Sequence, residues 1–229
     1  MMIRLILWDI DGTLIHTDGL GRRTTRLALE HVYGTAGAVM THHFGGKPDL
    51  RTLREILLPE GIPDQTILDL LPNYMLSVRD IMSAIAAEHV VEALPNGIEL
   101  VRGLHESDIV MQGIVTGNVQ TIAPVKLGVA GYEMHWFRVG AYGNESENRA
   151  DLPAKAIKRA QAISRNTFAP HEVLIVGDTV MDVHAARANQ LPVCIVRTGY
   201  ESAEAIEASQ PDFIIDDLTT FEAVLRHLD

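Results

Sequence analysis

Asp9 and Asp11 directly follow an apolar run and are separated by one residue. Carboxylates at this spacing could bind a cation or take part in phosphate chemistry. Residues 3–8 are apolar apart from Arg4, which is typical of a central β-strand. Acidic side chains just past such a strand are costly to bury unless a cation or a phosphate group uses them. The sequence therefore predicts a polar site at the end of the first strand.

These two carboxylates could divide the work of a phosphoryl transfer. An aspartate can attack phosphorus as a covalent nucleophile once nearby negative charge is neutralised, and Mg²⁺ does this with carboxylate, carbonyl and water ligands. Asp9, which is nearer the strand, is the predicted nucleophile and metal ligand. Asp11 is predicted to protonate the leaving oxygen and then to take a proton from the attacking water. Gly12 allows a close approach of the backbone to a phosphate.

The elements that must position these aspartates predict an α/β protein. Apolar strand-like stretches alternate with stretches of helical periodicity after residue 94. The predicted strands are residues 3–8, 109–115, 173–176, 193–196 and 213–215, and the predicted helices between and after them are residues 98–104, 119–129, 151–163, 180–189 and 218–228. This alternation implies right-handed crossovers and a parallel sheet between two helical layers, which is a Rossmann-like core.

A long stretch between the first and second strands contains no predicted strand. Its helical periodicity covers residues 24–33, 49–58 and 64–88, the last broken or kinked at Pro72. The composition changes again around residues 94–97. The sequence thus predicts a core of residues 1–15 and 94–229 and an all-helical inserted cap of residues 16–93.

Polar residues also follow two further predicted strands. Thr116, Gly117 and Asn118 come after the second strand, and Asp178 and Asp182 come after the third. Ligands of an open α/β sheet bind outside the carboxyl ends of its strands, so these residues are expected near Asp9.

The run from Asp9 to Leu14, Asp-Ile-Asp-Gly-Thr-Leu, resembles the first motif of the haloacid dehalogenase superfamily of phosphatases. The later strand ends follow in that family's order. The resemblance implies that Thr116 and the amides of Gly117 and Asn118 hold the transferring phosphoryl group. It also implies that Asp9, the Asp11 carbonyl and Asp178 hold Mg²⁺. Asp182, four residues after Asp178, would support the site through hydrogen bonds.

One motif departs from the family pattern. A Lys or Arg, often followed by proline, is expected ahead of the last acidic motif to neutralise the phosphoryl group. Here Arg149 lies just before a predicted helix and best matches that position, while Lys155 on the helix is the second candidate. A guanidinium at Arg149 could pair with both Asp9 and phosphate oxygens.

The insertion between the first two motifs resembles the cap of the C1-capped subfamily, which includes phosphoglycolate phosphatases and β-phosphoglucomutases. Caps of this kind close over the site, exclude water and contact the leaving group. Residues 45–49 form a plausible substrate-facing loop. Arg22 and Arg23 either attract a second anionic group or lie on a solvated helix face. Hinges are expected near residues 15–19 and 94–97.

Composition and charge indicate which binding partners and which cellular location to expect. The chain has 229 residues, a net charge of −11 and one cysteine, Cys194, which is expected to be buried. The negative charge argues against binding to nucleic acid or to an anionic membrane surface. The first apolar stretch is too short for a signal sequence or a membrane span, and no intramolecular disulfide can form, so a cytoplasmic location is expected.

These observations together predict a Mg²⁺-dependent phosphatase of a small phosphorylated metabolite, with a phosphoglycolate-like phosphomonoester as the family's default substrate. A phosphomutase of the β-phosphoglucomutase type is the nearest alternative, because it uses the same two aspartates. A catalytically silent phosphate-binding regulatory module is an alternative of another class. Dehalogenation is disfavoured, because those relatives lack the second acid that Asp11 provides.

Overall fold

A parallel sheet of six strands forms the centre of the computed structural model, which describes residues 2–228. The strands are β1 (Leu5–Trp8), β4 (Met111–Thr116), β5 (Val139–Tyr142), β6 (Val173–Gly177), β7 (Val193–Val196) and β8 (Phe213–Ile215). Their order in the sheet is β5-β4-β1-β6-β7-β8, and every neighbouring pair is parallel. The predicted α/β core with a parallel sheet is confirmed.

Both faces of the sheet are covered by helices. Side chains alternate along β1, so that Ile6 and Trp8 pack on one face while Leu5 and Leu7 pack on the other. One helical layer contains α4 (Gly97–Ser107), α5 (Ala123–Val129) and α9 (Phe221–Leu228), and the other contains α6 (Asp151–Ser164), α7 (Val180–Ala188) and α8 (Ala203–Ala208). Cys194 is buried in the first layer's core, as predicted.

The edge strand β5 and the short helix α8 were not predicted from the sequence. Strand β5 pairs in parallel with β4, from Gly113 opposite Val139 to Thr116 opposite Tyr142. Its four residues, Val-Gly-Ala-Tyr, include a glycine and are too few to form a long apolar run. The pairing with β4, rather than a local pattern, stabilises this strand.

The insertion contains three helices, α1 (Leu20–Tyr33), α2 (Asp49–Leu57) and α3 (Asp64–Ile85), which share their own apolar core. It is not helical throughout. Two three-residue strands, β2 (Ile15–Thr17) and β3 (Val91–Ala93), form an antiparallel ribbon where the chain enters and leaves the insertion. Helix α3 continues through Pro72, because an internal proline removes one backbone hydrogen bond without ending the packing on either side.

Several helix bounds differ from the predictions by a few residues. Helix α1 begins four residues earlier than the apolar periodicity indicated, and α5 begins at Ala123, after a turn, rather than at residue 119. None of the helices between residues 2 and 228 combines the length and the apolar character needed to cross a membrane.

Candidate active site

The carboxyl ends of three adjacent strands meet at one edge of the sheet. Strand β1 lies between β4 and β6; Thr116 is the last residue of β4, and Asp9 and Asp178 directly follow β1 and β6. All three side chains are buried. The topology therefore brings together the three strand ends that carry predicted site residues, as expected for an open α/β sheet.

The centre of the site is a buried cluster of three carboxylates, which we call the acid triad: Asp9, Asp178 and Asp182. One carboxylate oxygen from each lies within 4.8 Å of the others. Arg149 supplies the balancing cation, with Nη2 2.8 Å from Asp9 Oδ2 and in direct contact with Asp182 Oδ1. Three acids against one guanidinium leave an excess of negative charge in a buried place, which favours a bound cation.

Arg149 reaches the triad from the residues just before α6. Its side chain is 1% exposed, and Nη1 donates a 2.8 Å hydrogen bond to the Gly46 carbonyl. The structure thus pairs Arg149 with Asp9, the partner expected for it. Across residues 2–228, no ion pair joins Lys155 to the triad, and Lys155 is partly exposed on α6.

The environment shifts the pKa values of Asp9 and Asp178 upward. Burial raises the pKa of Asp9 to about 6, against the attraction of Arg149. Burial, with the charges of Asp9 and Asp182, raises the pKa of Asp178 well above its usual range. The guanidinium of Arg149 stays charged, because the two carboxylates beside it outweigh the cost of its burial. When no metal ion is bound, Asp9 and Asp178 therefore keep their protons at pH values at which free aspartates would release them.

Two of the triad residues, Asp178 and Asp182, lie at the start of α7. Thr179 caps this helix: its hydroxyl accepts a hydrogen bond from the Asp182 amide, and the Asp182 carboxylate accepts one from the Thr179 amide at 3.1 Å. This reciprocal capping orients Asp182. Asp178 accepts a 3.2 Å hydrogen bond from Thr13 Oγ1.

Gly12 makes room for Asp178. Its backbone is left-handed, with φ of 80°, and a Cβ atom there would overlap with the Asp178 carboxylate. A side chain at this position would be excluded by backbone conformation and by space together. Only glycine lets the turn after Asp11 lie this close to the triad.

Asp11 lies beside the triad in a second polar group. Its carboxylate accepts hydrogen bonds from Lys126 Nζ, at 2.8 and 2.7 Å, and from Asn118 Nδ2 at 2.7 Å. Asn118 Nδ2 also lies 2.8 Å from Thr116 Oγ1. Burial by itself would raise the pKa of Asp11, but Lys126 and Asn118 outweigh it, so the pKa is lowered. Asp9 and Asp11 are therefore shifted in opposite directions.

Lys126 was not identified from the sequence. It lies on α5 among apolar residues, next to Leu127, and its side chain is 4% exposed. Lysine is almost never fully buried unless it is paired. The sequence did contain a signal for a buried and paired lysine: Lys126 lies in the apolar pattern of a helix, and that helix follows a strand with polar residues at its end.

The loop of residues 45–49 contacts the residues that follow the carboxyl end of β4. The Asp49 amide donates to the Gly117 carbonyl at 2.7 Å, and Asp49 Oδ2 accepts from the Val119 amide at 2.7 Å. Burial raises the pKa of Asp49 to about 6, against the Val119 hydrogen bond and Lys126. A Cβ atom on Gly117 would overlap with the Lys47 carbonyl oxygen. The insertion therefore covers the site at close range.

Arg22 and Arg23 do not point to the acid triad. Arg22 donates to the Val39 carbonyl and lies over the Phe44 ring, at 4.7 Å from its centroid. Arg23 pairs with Glu88 at 3.1 Å on the surface of the insertion. Both arginines therefore make their contacts within the insertion.

The donor atoms of the triad fit Mg²⁺. All are carboxylate oxygens, which this ion prefers, and no thiolate or imidazole lies among the triad ligands found in residues 2–228. Both Asp182 oxygens accept hydrogen bonds, one from Arg149 and one from Thr179. Asp178, in contrast, accepts one from Thr13 and has more capacity left to ligate a metal.

Comparisons with known proteins agree with this geometry. The family model described as haloacid dehalogenase-like hydrolase matches residues 6–196. A phosphoglycolate phosphatase of Pseudomonas putida is 27% identical over 94% of this chain and 77% of its own length. The pyrophosphatase PpaX of Listeria monocytogenes is 24% identical over 98% of this chain and 97% of its own. A hydrolase from Pseudomonas syringae has the same fold, with a TM-score of 0.70 at 18% identity, covering 97% of this chain and 98% of that one.

Proposed function

The chain belongs to the haloacid dehalogenase-like hydrolase family, and we propose that this phosphatase hydrolyses a small phosphorylated metabolite with Mg²⁺ bound at the acid triad. The observation that carries the proposal is the pairing of Asp9 with Arg149 inside a buried group of three carboxylates. A nucleophilic carboxylate needs a cation beside it to approach a phosphate, and this arrangement provides one cation and the ligands for a second.

In the first half of the proposed reaction, Asp9 attacks phosphorus and forms an aspartyl-phosphate. Bound Mg²⁺ would neutralise charge shared between the carboxylates and the phosphoryl oxygens. Asp9 and Asp178 would ligate it directly, together with the Asp11 carbonyl, and Asp182 would hold Arg149 in place. Thr116, the amides of Gly117 and Asn118, and Arg149 would contact the phosphoryl oxygens.

Asp11 would transfer protons in both halves of the reaction. A proton that Asp11 takes up when the substrate binds passes to the leaving oxygen as the bond from phosphorus to that oxygen breaks. Asp11 then accepts a proton from water as the water oxygen attacks phosphorus and the Asp9 carboxylate leaves. We assign proton transfer to Asp11 because its carboxylate lies on the side of the site that faces the insertion, next to Thr17.

A small leaving group fits the closeness of the cap. The loop of residues 45–49 touches the strand end at Gly117, and Asp9 is only 6% exposed. We assign the cap to residues 16–93 and the catalytic core to residues 1–15 and 94–229. The relatives named phosphoglycolate phosphatase and pyrophosphatase act on compact anions by their names, and phosphoglycolate is the first substrate to test.

The test is a Mg²⁺-dependent screen of phosphorylated metabolites that includes phosphoglycolate and pyrophosphate, with Asp9→Asn as the blank. We expect phosphate release from at least one compact substrate by the wild type and none by Asp9→Asn, while both proteins unfold at similar temperatures. No release from any member of the panel, or full turnover by Asp9→Asn, would contradict the proposal.

The same screen separates the two alternatives. An isomerised sugar phosphate without net phosphate release would identify a phosphomutase, in which a sugar hydroxyl takes the place of water. Tight binding of a phosphate analogue without turnover would identify a phosphate-binding module. The intact set of Asp9, Asp11 and Asp178 argues against a binding module without turnover.

A further inference from the structure

Lys126 is a buried cation whose hydrogen bonds are all directed at the proton-transfer side of the site. Nζ lies 2.8 Å from Asp11 Oδ1, 2.7 Å from Asp11 Oδ2 and 2.8 Å from Asn118 Oδ1. An ammonium group has three N–H donors, and these contacts use them. Lys126 has no donor left for a substrate.

Asn118 closes the arrangement. Its Nδ2 donates to Asp11 Oδ2 at 2.7 Å, while its Oδ1 accepts from Lys126. The same Nδ2 lies 2.8 Å from Thr116 Oγ1 at the end of β4. We call this ring of Asp11, Asn118 and Lys126 the lysine clamp. It fixes the Asp11 carboxylate relative to the strand end that would bind the phosphoryl group.

The clamp lies under the insertion. A Cβ atom on Gly21 of α1 would be 3.7 Å from Lys126 Nζ, and Thr17 Oγ1 is 3.4 Å from Asp11 Oδ1. Asp11 itself remains 38% exposed on its side chain, while that of Lys126 is 4% exposed. Solvent can therefore reach Asp11 but not the cation that holds it.

The bonding of the clamp suits a proton acceptor. Both Asp11 oxygens accept hydrogen bonds from N–H donors, one of which carries a full charge. A carboxylate held in this way is presented as a base. That form is needed in the second half of the proposed reaction, when Asp11 takes a proton from water.

We propose that Lys126 is a positioning residue for hydrolysis of the aspartyl-phosphate, holding Asp11 oriented as the base for the attacking water. The inference rests on the proposed function. In that step a water O–H bond breaks and its proton passes to Asp11. The water oxygen bonds to phosphorus, and the bond from phosphorus to Asp9 breaks with its electron pair returning to the carboxylate. Lys126 makes no contact with substrate and acts through Asp11.

The experiment compares Lys126→Met with the wild type on p-nitrophenyl phosphate, whose leaving group needs no protonation. Loss of a positioned base slows only the second step, so kcat falls by about 10²-fold while kcat/KM, which reports the first step, stays within about threefold. KM falls with kcat. A rapid burst of p-nitrophenol precedes the slow phase, and the phosphorylated protein accumulates in the intact-mass spectrum.

Two further variants accompany Lys126→Met. Lys126→Gln keeps an N–H donor without the charge, and we expect an intermediate kcat with the same burst; it also serves if Lys126→Met is not folded by circular dichroism. Lys158→Met replaces an exposed lysine of α6 and should leave kcat and KM unchanged.

Equal losses in kcat and kcat/KM without a burst, or no loss at all, would overturn the role of Lys126. Either result in the presence of an active wild type refutes this inference alone. An inactive wild type across the whole metabolite panel refutes the proposed function instead.

Discussion

At the scale of single residues, Arg149 determines whether the acid triad can be buried. It is one of the largest fully buried side chains, and its guanidinium contacts both Asp9 and Asp182. Two buried carboxylates without this partner would lie uncompensated in a place that water barely reaches. Arg149 is therefore expected to contribute to stability as well as to phosphate binding.

Replacing Arg149 by methionine should lower the free energy of unfolding by about 3 to 5 kcal/mol, the usual cost of leaving buried charges unpaired. Arg149→Lys should recover part of that loss, because an ammonium cannot span both carboxylates as a planar guanidinium does. Denaturant unfolding of the metal-free protein measures both variants, and kcat/KM should fall in the same order.

Lys155→Met is the matched control for Arg149, since Lys155 was the competing candidate for the same role. We expect its stability and kcat/KM to equal those of the wild type. If Lys155→Met lost activity while Arg149→Met kept it, the assignment would be reversed.

The sequence was informative about site residues that follow strands and uninformative about those that arrive from helices. Asp9, Thr116 and Asp178 come directly after apolar runs, so the topology of a parallel sheet places them together. The lysine within the apolar pattern of α5 indicates that Lys126 is buried and paired, but no local pattern identifies Asp11 as its partner. Its pairing depends on tertiary structure.

At the scale of elements, the same division applies to the strands. The five strands that coincide with apolar runs were predictable from the sequence, whereas β5 and the ribbon of β2 and β3 were not. The ribbon pairs Ile15 with Ala93 and Thr17 with Val91, residues far apart in sequence and in strands of only three residues. Such short pairs are stabilised by context rather than by propensity. Strand β2 overlaps the hinge expected near residues 15–19, and β3 ends just before the one expected near residues 94–97.

The contact between the cap loop and β4 depends on the absence of a side chain at Gly117. Gly117→Ala would push the Lys47 carbonyl away and weaken the 2.7 Å hydrogen bond from the Asp49 amide. We expect kcat/KM to fall by about 10- to 100-fold, as for other small displacements of positioned groups. The steady-state kinetics of this variant, with its melting temperature, provide the measurement.

Gly128→Ala is the control for this element. Gly128 lies in α5 with nothing within 4 Å of an added Cβ atom, so alanine should be neutral or stabilise the helix by about 0.5 to 1 kcal/mol. Equal activity of both alanine variants would show that the cap loop need not lie this close to the strand end.

At the scale of the whole molecule, the acid triad makes stability depend on protons and cations together. The pKa of Asp9 rises from 3.8 to about 6 on folding, and that of Asp178 also rises, both through burial. Ionising these groups costs more in the folded chain than in the unfolded one. The metal-free protein should therefore lose stability as pH rises from about 4 through the raised pKa values, since the folded state binds more protons.

Mg²⁺ should reverse that loss by taking the place of the protons. Binding then strengthens as pH rises, because fewer protons must be displaced from Asp9 and Asp178. We expect a larger increase in melting temperature with Mg²⁺ at about pH 7.5 than at about pH 5.5, with chelation by EDTA returning the metal-free value. At a concentration 100 times the Kd, the stabilisation amounts to about 2.7 kcal/mol.

Two variants identify the site responsible for this linkage. Asp178→Asn removes a ligand and one of the raised pKa values, so it should lose most of the Mg²⁺-dependent shift and raise the metal-free stability at about pH 7.5. Asp69→Asn, which removes an exposed carboxylate of α3, should keep the wild-type response. A Mg²⁺ shift that survives in Asp178→Asn, or that does not change with pH, would place the cation away from the triad. The same three buried acids would then lower stability without a bound cation to offset them.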